Sequence, residues 1–283
     1  MRSPEISVII CTYNRKNMLE LALAAYQHQT FRNIEVIVTS DGSSDGTDEM
    51  IEAFRKEAGF LFHYVRQEDK GFRKSLAVNK AVRIARGKIL VFADDDMIPP
   101  PEYLESYYRT FCAAADINSL LVYSKYIPVD TGDKLFTMEN IRNGSYMKRF
   151  SLSDRLHLLY WKWKYQLYIR KNHPKRPKLN GNNFAVSAAA VRAVNGLDGD
   201  FTGWGYEDDD LRRRLLAIGT KQAEAVCTAW NFNLGYSKAN KTTAQRPDLL
   251  ARVEYNKALA YDNSRPARCV NGMAEAEAGE IVF

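Results

Sequence analysis

The chain has 283 residues, 46% hydrophobic and 26% charged, with a net charge of +6 and a pI near 9.0. That length and balance suit a folded chain with a sizeable core and exclude an extended, disordered one. The longest mainly apolar runs, Ile6 to Cys11 and Ile89 to Ala93, are strand-sized, far short of the roughly 18 to 20 residues a membrane span needs.

In chain order, Glu5 to Cys11 reads as a first strand, Thr12 to Arg15 as its turn, and Lys16 to Gln29 as a helix through Met18, Leu21 and Ala25. Ile34 to Thr39 is a second strand, followed by a helix from Asp45 to Arg55 with Asp45 or Thr47 as N-cap. Phe60 to Arg66 is a third strand, and Arg73 to Arg86 a helix ended by Gly87. Ile89 to Ala93 is a fourth, buried on both faces, and it stops on three carboxylates, Asp94, Asp95 and Asp96. Like charges at a strand end are unfavourable unless a cation or hydrogen-bond donors sit there. A solvated turn before Pro99 is the plain alternative. Four βα units in the first hundred or so residues imply a mostly parallel sheet with helices on both faces and a crevice at the strand C-termini.

Asp41, Ser43, Asp45, Gly46 and Glu52 occupy the positions of a calcium-binding EF-hand loop. The segment before them is a strand rather than a helix, which argues against that reading. No glycine-rich phosphate loop occurs. Cys11, Cys112, Cys227 and Cys269 are scattered with no Cys-x-x-Cys, so neither a disulfide framework nor a zinc site is expected. The N-terminus enters a strand without an apolar leader, and a cytoplasmic location follows as the expectation.

Between Lys148 and Lys178 lie ten Lys/Arg and one acidic residue, a local +9 that leaves −3 for the rest of the chain. Within this segment Ser151 to Arg170 repeats Leu152, Leu156, Leu159, Trp163 and Leu167 at helical spacing. Three readings stand: a helix packed on the sheet with a solvated basic face, an interfacial helix on anionic lipid at the inner membrane face, or a wall for an anionic acceptor. No nucleic-acid module accompanies the patch, so no nucleic-acid partner is expected. Ala223 to Cys227 reads as the last strand, and 236–283 as a polar tail with a surface helix and a loose end.

Gly203-Trp204-Gly205-Tyr206-Glu207-Asp208 sets an indole between two glycines, so that backbone and ring can approach a sugar closely. The four acids Glu207 to Asp210 also suit a helix N-terminus, which is an innocent explanation for them.

Taken together, Ser7 to Asn14, Val38 to Thr47, Gly71 to Asn79 and Phe92 to Asp96 resemble the motifs of the family 2 glycosyltransferases, which have the GT-A fold. The segment 203–208 is similar to the galactosyltransferase-like branch. The resemblance covers about residues 5 to 235, one domain with a nucleotide-sugar half (1–115) and an acceptor and catalytic half (116–235). It implies donor contacts from Thr12, Asn14, Asp41, Arg73, Asn79, Asp94 and Asp95, and Mn²⁺ or Mg²⁺ held by Asp94 and Asp96. It further implies that Asp208 is the catalytic base, that Glu207 holds an acceptor hydroxyl, and that Gly203, Trp204, Tyr206, Asn182 and Asn183 line the acceptor side.

The implied activity is inverting, metal-dependent transfer of one sugar from a UDP-sugar to a polysaccharide or lipid-linked saccharide. Family members often place a metal-binding His on the last strand. Here Ala225 to Asn233 has none, leaving Asn231 or Asn233 as substitute oxygen donors. Neither a Gln-x-x-Arg-Trp motif nor membrane spans of processive synthases occur, which favours single addition. The competing readings are a glycoside hydrolase pair, a sugar nucleotidyltransferase, and a non-catalytic scaffold or lectin.

Overall fold

The computed structural model describes residues 3–130, 132–235, 247–276 and 280–283. Strand β1 (Ile6–Thr12) leads to α1 (Lys16–Gln27), β2 (Ile34–Ser40), α2 (Thr47–Arg55), β3 (Leu61–Arg66), α3 (Lys74–Ile84) and β4 (Ile89–Asp94). The chain then passes through β5 (Met97–Ile98), α4 (Tyr103–Cys112), β6 (Leu120–Tyr123), β7 (Tyr126–Pro128), α5 (Met138–Arg142) and the long α6 (Leu152–Arg170). Next come β8 (Asn183–Ser187), α7 (Ala188–Ala193), α8 (Glu207–Ala217), β9 (Lys221–Glu224), β10 (Asn231–Asn233), α9 (Pro247–Ala260) and β11 (Glu280–Ile281).

One eight-stranded sheet runs in the order β11-β3-β2-β1-β4-β8-β6-β9. Its β3-β2-β1-β4 centre is parallel, with Ile6 opposite Ile34 on one side and Ile89 on the other. Both halves of the chain contribute strands, with β8 antiparallel to both β4 and β6. Alternate side chains feed opposite cores: Val8, Ile10, Val36 and Val91 pack with α4, whereas Ile9, Ile37, Leu90 and Phe92 pack with α3, α7 and α8. That two-sided burial is why the central strands are almost wholly apolar. Because these four strands run the same way, Thr12, Ser40, Arg66 and Asp94 end on one edge.

Past Asp94 the chain turns into a second, small sheet, β5-β10-β7. Asp95 and Asp96 therefore sit in the corner between the two sheets.

Several sequence expectations are corrected. Gly46, not Asp45 or Thr47, caps α2, while the Asp45 carboxylate accepts from the Lys16 backbone N–H at 2.8 Å. That bond ties the 41–46 loop to the first turn and uses the apparent calcium loop as a brace. Gly87 does not end α3, which stops at Ile84. A Cβ there would lie 2.4 Å from the Ser7 nitrogen, so close backbone approach is what demands glycine. The strand expected over Ala223 to Cys227 is β9, which spans Lys221–Glu224 and gives way to a turn at Ala225, and it is not the last, since β10 and β11 follow it.

The C-terminal segment is not a loose end. Residues 236–246 of it lie outside the described residues, but α9 packs on α8, Arg265 pairs with Asp198, and β11 extends the sheet beside β3.

A buried ion pair fixes α8 to this frame. The Arg214 guanidinium donates to Asp210 at 2.6 Å and to the Val194 and Gly196 carbonyls, with both side chains excluded from water. Removing one partner strands a buried charge. Asp210→Ala is expected to lower the unfolding free energy by about 3–5 kcal/mol, read from urea denaturation.

Candidate active site

A cleft of about 250 Å³ opens where the parallel strands end, lined by Cys11, Thr12, Tyr13, Arg15, Asp41, Phe72, Lys74, Asp94, Asp95, Trp204 and Glu207. Residues from β1, β2, α3, β4 and the start of α8, nearly 200 positions apart in the chain, meet there.

On one wall Asp41 is buried and accepts hydrogen bonds from Gln67 Nε2 at 2.5 Å and the Arg73 backbone N–H at 2.7 Å. Burial raises its pKa, and those two donors oppose the rise. The carboxylate is thus fixed at the cleft with its orientation set by neighbours. Asn14, at a positive φ of 51°, accepts from the Ser44 N–H, and its own N–H donates to Ser43, so it holds the turn over this wall.

Asp94 and Asp95 form the floor with two cations, Lys74 and Arg15, and Asp96 lies behind them outside the lining. Lys74 Nζ donates to Asp94 Oδ1 at 2.5 Å. Burial works against the Lys74 charge, but Asp94 and then Glu207 hold its ammonium protonated, above the usual range. Arg15 Nη1 lies 2.9 Å from Asp96 and 3.5 Å from Asp95. Thr12 Oγ1 donates to Asp95 at 2.7 Å. Desolvation, then the neighbouring aspartates, raises Asp95 to about 7 and Asp96 to about 6. Burial keeps the Cys11 thiol protonated, which removes it as a nucleophile.

Among the described residues no three His, Cys, Asp or Glu side chains come together as a metal cage. The hard oxygen donors present are the Asp94 and Asp96 carboxylates, which suit a divalent cation. Asn233, on the adjoining strand β10, turns its amide nitrogen to them, donating to Asp96 Oδ1 at 3.3 Å, so its oxygen is not aimed at Asp96. Asn231 is buried with both amide atoms unpartnered.

On the opposite wall stand Trp204 and Glu207, the first residue of α8, with Asp208 next to it outside the lining. Trp204 is 62% exposed, between Gly203 and Gly205, both at positive φ. Asn256 of α9 donates to the Thr202 and Gly205 carbonyls at 3.2 and 3.1 Å, clamping this loop. Tyr206, also at positive φ, precedes α8 and packs edge-on to Tyr261.

Glu207 lines the cleft with Oε2 unpartnered, its pKa raised by burial and held back by Lys74. Asp208 accepts from the Gly181 N–H at 3.0 Å and the Asp209 N–H at 2.8 Å. Burial, then Glu207 and Asp209, pushes its carboxyl up to about 7.

Three expected site residues belong to the frame instead. The Asn79 side chain is buried and bonded to both the N–H and the carbonyl of Leu197. Asn183 is buried in β8, where its amide oxygen accepts from Tyr103 and Tyr107 and its nitrogen donates to Lys125. The Arg73 guanidinium turns back to the Glu68 carbonyl, so the cation in the cleft is its neighbour Lys74. Asn182 sits half-buried in the turn before β8, outside the cleft lining.

Lys74, Arg15, Tyr13 and Phe72 are cleft residues the sequence reading left out. The usable signal was Lys74 at the first turn of a helix rising from the strand edge.

The fold agrees with what the chain is similar to. The model of Glycosyl transferase family 2 matches residues 7–173, and that of the N-terminal domain of galactosyltransferase matches 164–239. A validoxylamine A glucosyltransferase of Streptomyces hygroscopicus subsp. jinggangensis is 30% identical over 239 residues, 76% of this chain and 52% of that protein. A chondroitin synthase of Escherichia coli is 28% identical over 225 residues, 76% of this chain and 32% of that one. The chain thus spans about half or less of the length of these curated relatives.

Among solved structures, the mannosyltransferase PcManGT of Pyrobaculum calidifontis in complex with GDP-Man and Mn²⁺ superposes with TM-score 0.63 at 19% identity, covering 98% of this chain and 70% of that one. S. aureus TarS 1–349 in complex with UDP-GlcNAc gives 0.56 at 16% identity, covering 92% and 67%. The architecture is the GT-A fold, and the chain belongs to glycosyl transferase family 2.

Proposed function

We propose that the protein is an inverting, metal-dependent glycosyltransferase moving one sugar, of the galactose or N-acetylhexosamine type, from a UDP-sugar to a hydroxyl of a growing polysaccharide or lipid-linked oligosaccharide. The observation that carries this reading is the single cleft with Asp41 on one wall, Asp94 and Lys74 on its floor, and Trp204 with Glu207 opposite. TarS bound to UDP-GlcNAc and the chondroitin synthases among the relatives support the donor class and the polymer acceptor.

Asp41 offers a fixed acceptor for the N–H of the uracil ring. Lys74 places positive charge where the leaving diphosphate gathers negative charge. A divalent cation held by Asp94 and Asp96 would add Lewis-acid stabilisation there. Trp204 presents a flat face to the sugars, and Glu207 orients the acceptor hydroxyl. The acceptor oxygen forms its bond to C1 as the C1–O(phosphate) bond breaks; the electron pair leaves with the diphosphate, and the proton passes to Asp208. Base and leaving group on opposite sides of C1 give inversion. A carboxylate poised near pH 7 is suited to that proton transfer. The protein works in the cytoplasm, in contact with the inner membrane face through 151–178.

The test is UDP release and sugar transfer over a panel of UDP-sugars, with Mn²⁺ and with EDTA. One donor is expected to give slow, EDTA-sensitive UDP release and a product larger by one hexosyl unit. A product carrying a nucleotidyl group would instead mark a nucleotidyltransferase. Absence of binding to any sugar nucleotide would leave a non-catalytic scaffold.

A further inference from the structure

Helix α6 is turned the opposite way from a helix that packs its leucine stripe on the sheet. Its inward contacts are Leu158, Tyr165 and the half-buried Trp161 and Tyr168, while the exposed Gln166 donates to Glu224 on the edge strand β9. The repeat Leu152, Leu156, Leu159, Trp163, with Tyr160 beside it, faces outward; Leu152 is 73% and Trp163 59% exposed. A capping box between Ser151 and Asp154 fixes the start of this 19-residue helix, which spans about 28 Å at 1.5 Å per residue.

Cations border the stripe. By helical position Arg155 and Lys162 flank one side and Lys164 the other, and Arg170, Lys171, Lys175 and Arg176 continue it past the C-terminus. Lys164 lies over the Tyr160 ring at 4.8 Å, and Asp154, the segment's one acid, is spent on the cap and on Arg149. An outward aliphatic and aromatic stripe edged by seven cations matches an anionic bilayer surface, apolar side chains at the acyl boundary and ammonium groups at the phosphates. A protein groove would need acidic rims to neutralise the same charges, and a second copy of this face would bring +9 against +9.

The helix is also fastened to the candidate site. Arg212 of α8 donates to the carbonyls of His173, Pro174 and Arg176, and Lys178 pairs with Asp209 at 3.3 Å. We infer that α6 lies in the surface of an anionic membrane, apolar stripe down, and that the 171–178 turn sets the acceptor side of the cleft at that surface. The orientation of the cleft rests on the transferase reading; the membrane surface does not.

The test is flotation of the full chain with phosphatidylcholine vesicles, alone or containing about one third phosphatidylglycerol. The protein floats with the anionic vesicles and not with the neutral ones, and rising salt releases it. Leu156→Ser combined with Trp163→Ser lowers the partition coefficient on the order of tenfold or more. Arg170→Gln and Lys171→Gln each lower it about fivefold. Brominated lipid quenches part of the tryptophan fluorescence, and Trp163→Phe abolishes that part. Melting temperatures of all these variants stay near wild type, since the replaced side chains face out.

No flotation, or equal flotation on neutral vesicles, overturns the inference. So does self-association in sedimentation velocity that Trp163→Ser abolishes, which would assign the stripe to a second copy. Flotation without UDP release would keep the surface and remove the transferase reading.

Discussion

Asp208→Asn is expected to lower kcat by about 10²- to 10⁴-fold while changing donor affinity little, because the amide cannot take the acceptor proton. In the wild type, the acid limb of the kcat/KM profile should fall below about pH 7, where burial, Glu207 and Asp209 have pushed this carboxyl. The base works ionised, so protonation on the acid side removes activity. Activity in the variant near the wild-type level would assign the proton transfer to Glu207, which lines the cleft and whose buried Oε2 is unpartnered.

The same substitution has a stability signature of the opposite sense. A carboxyl near 7 in the folded state and about 3.9 unfolded makes folding take up a proton between those values, so stability falls across that window as pH rises. The variant carries no such penalty, although its amide has one oxygen where the carboxylate had two, and so keeps only one of the acceptors for the Gly181 and Asp209 N–H groups. Its melting temperature relative to wild type should therefore be more favourable at pH 8 than at pH 5. A pH-independent difference would mean that Asp208 is ionised throughout.

Lys74→Met should cost about 10²- to 10³-fold in kcat, the scale of losing one charged group from a desolvated site that stabilises developing charge. It should also raise the KM for the donor, because the same ammonium meets the ground-state diphosphate. A second consequence separates this role from a purely structural one. Lys74 is the cation that holds back the rise in the Glu207 pKa, so without it the Glu207 carboxyl should move further up, visible as a shifted acid limb. Wild-type kcat in Lys74→Met would place the leaving-group charge on Arg15 instead.

Much of this protein was legible in its sequence because the central strands are buried on both faces and leave no choice of residue type. The runs from Ile6, Ile34 and Ile89 announce themselves, and the carboxylates at their ends follow from parallel topology. What failed to read out was direction. Arg73 and Lys74 are adjacent, and only the turn into α3 decides that Lys74 enters the cleft while Arg73 folds back on Glu68. Asn79 and Asn183 have the chemistry of ligand contacts, yet their partners are backbone groups and tyrosines far away in sequence. The leucine repeat of α6 had the right period but left open whether it faces the sheet; it faces outward, because Leu158, Trp161 and Tyr165 supply an equally spaced second stripe, and Trp161 and Tyr165 pack edge to face there. Periodicity finds a helix; it does not choose between two apolar stripes.

The Asn256 clamp lies 54 and 51 residues downstream of the two carbonyls it holds, beyond the end of the galactosyltransferase match at residue 239. The loop that carries Trp204 therefore takes part of its shape from a segment that the family match does not reach. Loss of the Asn256 amide is expected to loosen the mouth of the cleft while Asp41, Asp94 and Lys74 keep their own partners. A boundary drawn where family similarity fades would cut the clamp away from the loop it holds.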